Sequence, residues 1–185
     1  ALVRAMAARL RTEQGGAQAC GPDYLACAEA LAQPMQPRLL ITHGLSGSGK
    51  STVAAALLAQ AGAVRLRSDV ERKRLHGLAP LADSAARGAD IYTPESSQRT
   101  FEDLAEQARA VLQAGYPVIV DAAFLRHSER VRMHAVAQAL GVPFTVLHCR
   151  AGEQQLQARV QRRLAAGGDP SEAGLAVLAA QQRTA

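Results

Sequence analysis

Residues 44–51 read GLSGSGKS. Gly44, Gly49, Lys50 and Ser51 stand at the fixed positions of the pattern G-x-x-x-x-G-K-[ST]. The chain holds two lysines against nineteen arginines, and one of the two is placed directly behind three glycines. Before the loop, LLITH (39–43) is a short apolar run; after it, STVAAALLAQ (51–60) has helical composition. Strand, glycine-rich loop, helix is the context that gives the pattern its meaning. The competing reading, a flexible turn carrying an ordinary solvated cation, does not account for those flanks.

Such a loop suits a chain of phosphates. Backbone N–H groups can surround several negative charges only where no Cβ intrudes and positive φ is permitted, which Gly44, Gly47 and Gly49 allow. The helix starting near Lys50 adds the positive end of its dipole. Lys50 is then placed for the β- and γ-phosphates and the Ser51 hydroxyl for Mg²⁺. Ser46, Ser48 and Thr52 are secondary contacts.

Reading outward, residues 1–13 and 23–33 form two alanine-rich helices separated by GGAQACGP, and Pro34 and Pro37 close that segment. The chain opens midway through a helical pattern, so residues 1–37 read as the end of a preceding domain or linker, and 38–185 as the main domain. Beyond the loop come a strand at 63–67, a helix from Asp69 to His76, and an irregular stretch at 77–93 beside the site. A helix from Pro94 to Ala114 follows, with proline at its start and Gly115 at its end. PVIVD (117–121) is a continuous apolar strand, which implies burial on both faces. A helix at 127–140, the strand PFTVLH (143–148), a basic helix at 152–166 and a last helix at 171–182 complete the order. Strands alternating with helices predict right-handed crossovers and an α/β fold: a parallel sheet between two helical layers.

Composition narrows the function classes. With 48% hydrophobic and 20% charged residues the chain is globular. No apolar run reaches the roughly 18 residues of a membrane span. Three cysteines, Cys20, Cys27 and Cys149, lack metal-ligand spacing and suit a reducing cytoplasm. The net charge of +5 admits nucleic acid, but the arginines are dispersed. Aromatic residues amount to 3%, too few for stacking platforms.

Two carboxylates fall where strands of such a sheet end, the edge at which open α/β sheets bind ligands. Asp121 closes VIVD and is placed to hold Mg²⁺ directly or through water; its other reading is a turn or helix cap. Asp69 ends RLRSD and is placed to accept the proton of an acceptor hydroxyl; its other reading is the N-cap of the helix VERKRL. Arg159, Arg162 and Arg163 lie on neighbouring parts of one helix face. A basic helix closing over ATP can offset the charge developing on the transferred oxygens through at least one of the three, with Arg159 the first choice. Arg67, Arg72, Arg126 and Arg130 flank the two acids. Each reads either as surface charge or as a holder of an anionic or polar acceptor. His43, His76, His127, His134 and His148 show no ligand pair and read as structural or surface residues, and Cys149 as a strand-end residue.

Together GLSGSGKST, RSDVERKRL, VIVDAAF and the basic segment 159–163 resemble the P-loop kinase superfamily. More narrowly they look like the kinases of the "AAA domain" group, related to gluconate kinases, chloramphenicol phosphotransferases, zeta toxins and the kinase domain of polynucleotide kinases. The order of pieces, including DPSEAGLAVLAAQ (169–181), is similar to proteins in which such a domain follows an aminoglycoside-phosphotransferase-like domain. Residues 1–33 would then end that fused, kinase-like partner. The resemblance implies a three-layer α/β/α core of the nucleoside-monophosphate-kinase type with an arginine-bearing lid. It assigns Lys50 and Ser51 to the loop lysine and Mg²⁺ serine, Asp69 to acceptor activation, Asp121 to the strand-end acid, and Arg159 or Arg163 to the lid. The expected activity is ATP- and Mg²⁺-dependent phosphoryl transfer to a hydroxyl of a small molecule. Two other readings stand beside it: a nucleotide-binding regulatory module or slow ATPase controlling a fused partner, and a polynucleotide 5′-kinase.

Overall fold

The computed structural model describes residues 2–14, 23, 25–26, 36–88 and 90–184. It divides into two units, residues 1–35 and 36–185. The first contains helix α1 (Leu2–Glu13), braced by an exposed Arg9–Glu13 pair one turn apart at 3.2 Å. Of the second helix expected at 23–33, Asp23 is not helical and accepts the Leu25 and Ala26 amides at 3.0 Å, Leu25 and Ala26 are helical, and residues 24 and 27–33 lie outside the described residues.

The second unit carries the sheet. Strands β1 (Leu39–His43), β2 (Val64–Arg67), β3 (Val118–Asp121) and β4 (Phe144–His148) pair in parallel in the order β2-β3-β1-β4. All residues of β3 are buried, as a run of Val, Ile and Val on a strand covered from both sides requires. The outer strand β4 pairs with β1 alone and exposes Thr145 and Val146.

Helices α2 (Lys50–Ala61), α3 (Ser68–Leu75), α4 (Pro94–Gln113), α5 (His127–Ala139), α6 (Glu153–Ala166) and α7 (Leu175–Thr184) make the connections and the cover. Helix α4 shows why the local sequence folds as it does. Thr93 caps it by accepting the Ser96 amide at 3.1 Å, and Pro94 fits its first turn. Phe101, Leu104, Ala105, Ala108 and Leu112 recur at helical spacing and bury in the main core, where α4 packs on β2 and β3. A smaller core of Leu156, Val160 and Leu178, with Leu45 against it, joins α6 and α7 to the glycine-rich loop.

Most expected elements fall within two residues of their observed bounds. The last helix differs, starting at Leu175 instead of 171. Residues 169–173 are held out of helical geometry by their own side chains and carbonyls. Asp169 receives Arg67 at 3.2 Å, Glu172 receives Lys73 at 2.8 Å, and the Ala173 carbonyl receives Arg163 at 2.6 Å. The irregular stretch at 77–93 holds one short 3₁₀ turn, Ala85–Arg87. Among the described residues no helix is long and apolar enough to cross a membrane.

Candidate active site

The loop between β1 and α2 brings the sequence motif together. Gly44, Gly47 and Gly49 have φ of +142°, +81° and +98°, values that L side chains rarely adopt. Two of them also lie against the structure behind the loop. A Cβ on Gly44 would stand 2.3 Å from the Cys149 carbonyl oxygen, and one on Gly47 would stand 2.6 Å from that of Leu156. Glycine is needed at both for conformation and for space. The Ser48 hydroxyl is buried without a partner. The Ser46 amide donates to the Gln181 side chain at 2.8 Å, so α7 reaches back to the loop.

Lys50, in the first turn of α2, donates to the Leu45 carbonyl at 2.8 Å. Burial pushes its ammonium below the ordinary lysine range, against the opposing pull of Asp121 and Asp69. Ser51 donates to Asp121 at 2.8 Å. Asp121, 5% exposed at the end of β3, also accepts from Arg65 and lies 3.7 Å from Arg67 Nε. Thr42 on β1 buttresses the strand end, donating to the Ala122 carbonyl at 2.8 Å and accepting the Ala122 amide at 3.1 Å. Asp121 is thus tied to side chains and caps no helix. Two hard oxygen donors from different elements, Ser51 and Asp121, meet beside the lysine, and that donor set fits Mg²⁺. The positive-φ loop at a helix N-terminus fits a phosphate chain.

A cleft of about 920 Å³ opens from this point. Lys50, Ser51, Asp69 and Asp121 line it together with Arg72, Tyr92, Arg126 and Arg163. Asp69 sits in the first turn of α3, whose cap position is Arg67 with no side-chain capping bond. Asp69 is therefore not the N-cap. Arg163 faces the cleft while holding the Ala173 carbonyl. Arg159 is exposed and donates to the Gly47 carbonyl at 3.3 Å, and Arg162 is exposed. Thr52 is exposed on α2.

Arg72 corrects the surface-charge reading: it is buried, with its guanidinium 5.0 Å over the Tyr92 ring. Arg130 donates to the Phe124 and Leu125 carbonyls, while Arg126 is exposed at the rim. The histidines take structural roles where contacts are seen. His43 meets the Ala123 and Phe124 carbonyls and stacks on His148 with ring centroids 4.5 Å apart, and His76 meets Ser96.

Arg65, Lys73, Glu172 and Gln181 were missed from sequence. Arg65 alternates with Arg67 on β2, so the period of two carried the signal that both share a face with Asp121. Lys73 is 1% exposed and pairs with Glu172; being the second of only two lysines was its signal. Ser84 and Tyr92 also donate to Glu172, and Gln181 reaches the loop. No local pattern announced either.

Sheet order, loop and strand-end acids define a P-loop nucleotide-binding domain of the kinase-like kind. Residues 39–185 match the model of the AAA domain family, and the chain belongs to that family. It is similar to an uncharacterized protein of Mycobacterium tuberculosis, 25% identical over 185 residues, covering 98% of this chain and 37% of that one. A Mycobacterium bovis protein matches to the same extent; the chain spans little more than a third of these relatives' length. Among solved structures it is similar to the APS kinase of Mycobacterium tuberculosis in complex with AMPPNP and APS. That match has 25% identity, 72% of this chain, 73% of that chain and a TM-score of 0.55. A gluconokinase from Sinorhizobium meliloti matches at 19% identity, 80% and 74% coverage and a TM-score of 0.57. A chain of the Pnkp1/Rnl/Hen1 RNA repair complex matches at 19% identity, 83% and 45% coverage and a TM-score of 0.62.

Proposed function

We propose that this domain transfers the γ-phosphoryl group of ATP, with Mg²⁺, to a hydroxyl of a small molecule. The observation that carries this reading is that Asp69 lines the same cleft as Lys50, Ser51 and Asp121, which puts an acid beside the phosphate seat. Loop amides and Lys50 hold the phosphate chain, and Ser51 with Asp121 supply oxygen donors for the metal. Ser51 and Asp121 would hold Mg²⁺, which would supply positive charge against the phosphate chain. Asp69 orients the acceptor hydroxyl and takes its proton as the new O–P bond forms; the bond from phosphorus to the β–γ bridging oxygen breaks, and ADP leaves. A loose transition state asks little basicity of Asp69, so its position matters most. Arg163 in the cleft wall offsets charge on the transferred oxygens, and Arg159, reaching the Gly47 carbonyl from α6, adds positive charge behind the loop. The test is ADP release measured with Mg-ATP across a panel of sugars, hydroxy acids, nucleosides and oligonucleotide ends. Release that no acceptor raises above the acceptor-free rate rejects the reading.

A second reading, a nucleotide-binding module that controls a partner, is favoured by the bond between the Ser46 amide and Gln181. A phosphate taking that amide displaces the α7 side chain, so nucleotide binding would be felt at α7. Likeness to a chain of an RNA repair complex motivates the oligonucleotide arm of the panel.

A further inference from the structure

The phosphate loop has two faces. Ser46, Lys50 and Ser51 line the main cleft, whereas Gly44, Leu45 and Ser48 line a second cavity of about 420 Å³ on its other side. Leu125 stands between the two and lines both. The second cavity takes its charge from three elements: His43 and His148 close the paired strands β1 and β4, Arg150 follows β4, and Arg130 comes from α5. The two imidazoles lie with ring centroids 4.5 Å apart. Partial desolvation, then the positive neighbours His43 and Arg150, push the His148 pKa down. Among the described residues no carboxylate lines this cavity or comes within 4.0 Å of either guanidinium. Glu129, which feels the charge of Arg130, lines the main cleft instead, and Glu153 accepts from Gln157 at 3.4 Å. Asp121 and Lys50 act on the nearby Cys149 thiol with opposite signs, and both line the main cleft. The Ser48 hydroxyl, in the wall of the second cavity, is buried without a partner.

We infer that this cavity is a second anion site, separate from the phosphate cleft, and that its ligand is a small molecule bearing a dianionic phosphate group. The site stands independently of the phosphotransferase reading. Two guanidiniums without a carboxylate leave two full positive charges, which a dianion balances and a monoanion does not. Each planar fork meets two phosphate oxygens at once. Arg130 gives Nη1 to the Phe124 and Leu125 carbonyls at 2.6 and 2.9 Å, which fixes the fork and leaves its other N–H groups for a ligand. His148 and Arg150 are exposed at the mouth, Arg130 and His43 are half-buried, and Ser48 is buried. The volume falls in the range of small-molecule sites, about 300–1,000 Å³, so the phosphate is carried on an organic body and is not a bare ion.

The test reads the site through its own histidines, with the phosphate loop already filled. Wild-type protein saturated with AMPPNP and Mg²⁺ is titrated with inorganic phosphate at constant pH and ionic strength, and the imidazole resonances are followed by NMR. His43 and His148 report the second cavity, and His127 reports the main cleft that it lines. Phosphate is expected to shift His43 and His148 to saturation, and acetate to need a concentration at least about tenfold higher. Arg150→Gln should weaken the phosphate response about 10- to 100-fold, the range for losing a charge-assisted hydrogen bond. Arg150 is exposed, so this variant should keep the melting temperature and the AMPPNP affinity of wild type. Phosphate that moves His127 alone, a response that Arg150→Gln leaves unchanged, or acetate acting as strongly as phosphate overturns the assignment. So does a response seen without AMPPNP and abolished by it, which would make the cavity part of the nucleotide site. Failure to bind AMPPNP would sink the nucleotide reading alone, and the comparison of wild type with Arg150→Gln would still decide this site.

Discussion

Ser51 and Asp121 meet across 2.8 Å, joining the first turn of α2 to the end of β3. The same carboxylate is held by Arg65, so Asp121 links three elements around the phosphate loop. Its side chain is 3% exposed and that of Arg65 is 15% exposed. Removing one partner of a buried pair leaves an uncompensated charge, at a cost of about 3–5 kcal/mol. Arg65→Met is expected at the low end, about 3 kcal/mol, because Ser51 and Arg67 remain beside the carboxylate. Urea unfolding measures this, and a loss below about 1 kcal/mol would place the pair with exposed ones.

Lys50 behaves in the opposite way. Burial already depresses its pKa, so its charged form is less favoured in the folded state than in water, and deleting it removes a strained group. Lys50→Ala should leave the melting temperature unchanged or slightly raised. Calorimetry should show weakened ATP binding, and phosphoryl transfer should fall by more than about a hundredfold, as when charge stabilisation of a transition state is lost. Full activity in this variant would remove the loop from the site.

Asp69→Asn separates chemistry from stability. Asp69 lies in the first turn of α3 without capping it, so the loss of its charge there costs about 0.3–1 kcal/mol through the helix dipole. Transfer should slow about a hundredfold or more, the scale of a lost general base, while nucleotide affinity holds. A rate unchanged within twofold, beside a lowered melting temperature, would make Asp69 structural.

The glycine-rich loop, the strand ending at Asp121 and the alternation of strands with helices were legible because each is local: φ-permissive glycines before a lysine, an apolar run ending in Asp, helices between strands. What escaped depends on distance in the chain. Arg65 meets Asp121 only because β2 and β3 pair with Arg67 opposite Asp121. Arg72 looked like surface charge because burial came from Tyr92, twenty residues on, folding its ring beneath it. The late start of α7 follows from Asp169, Glu172 and Ala173 being drawn to Arg67, Lys73 and Arg163. Residues 171–174 read SEAG, so Gly174 already weakens a helix there, and the tertiary ion pairs complete the break.

Glu172 is the point where the hold of those ion pairs becomes measurable. It accepts from Lys73 at 2.8 Å, from the Ser84 amide at 3.0 Å and from the Tyr92 hydroxyl at 3.5 Å, so it fastens the segment before α7 to α3 and to the 77–93 stretch. Burial pushes its pKa up, but the hydrogen bonds from Lys73 and Ser84 outweigh this and hold it below the ordinary 4.5. A carboxyl depressed in the folded state stabilises the fold above its unfolded pKa, and that contribution drains away as pH falls through the folded value. Lys73, 1% exposed, is left unpaired both by protonating Glu172 and by replacing it. At pH 7 Glu172→Gln should therefore unfold about 3 kcal/mol more easily than wild type. Below pH 4.5 the two proteins should converge, because wild type has lost the same charge. Denaturant curves of both proteins from pH 7 down to pH 3.5 measure the gap. A gap that stays constant would assign the stabilisation to packing, leaving the ion pair without effect.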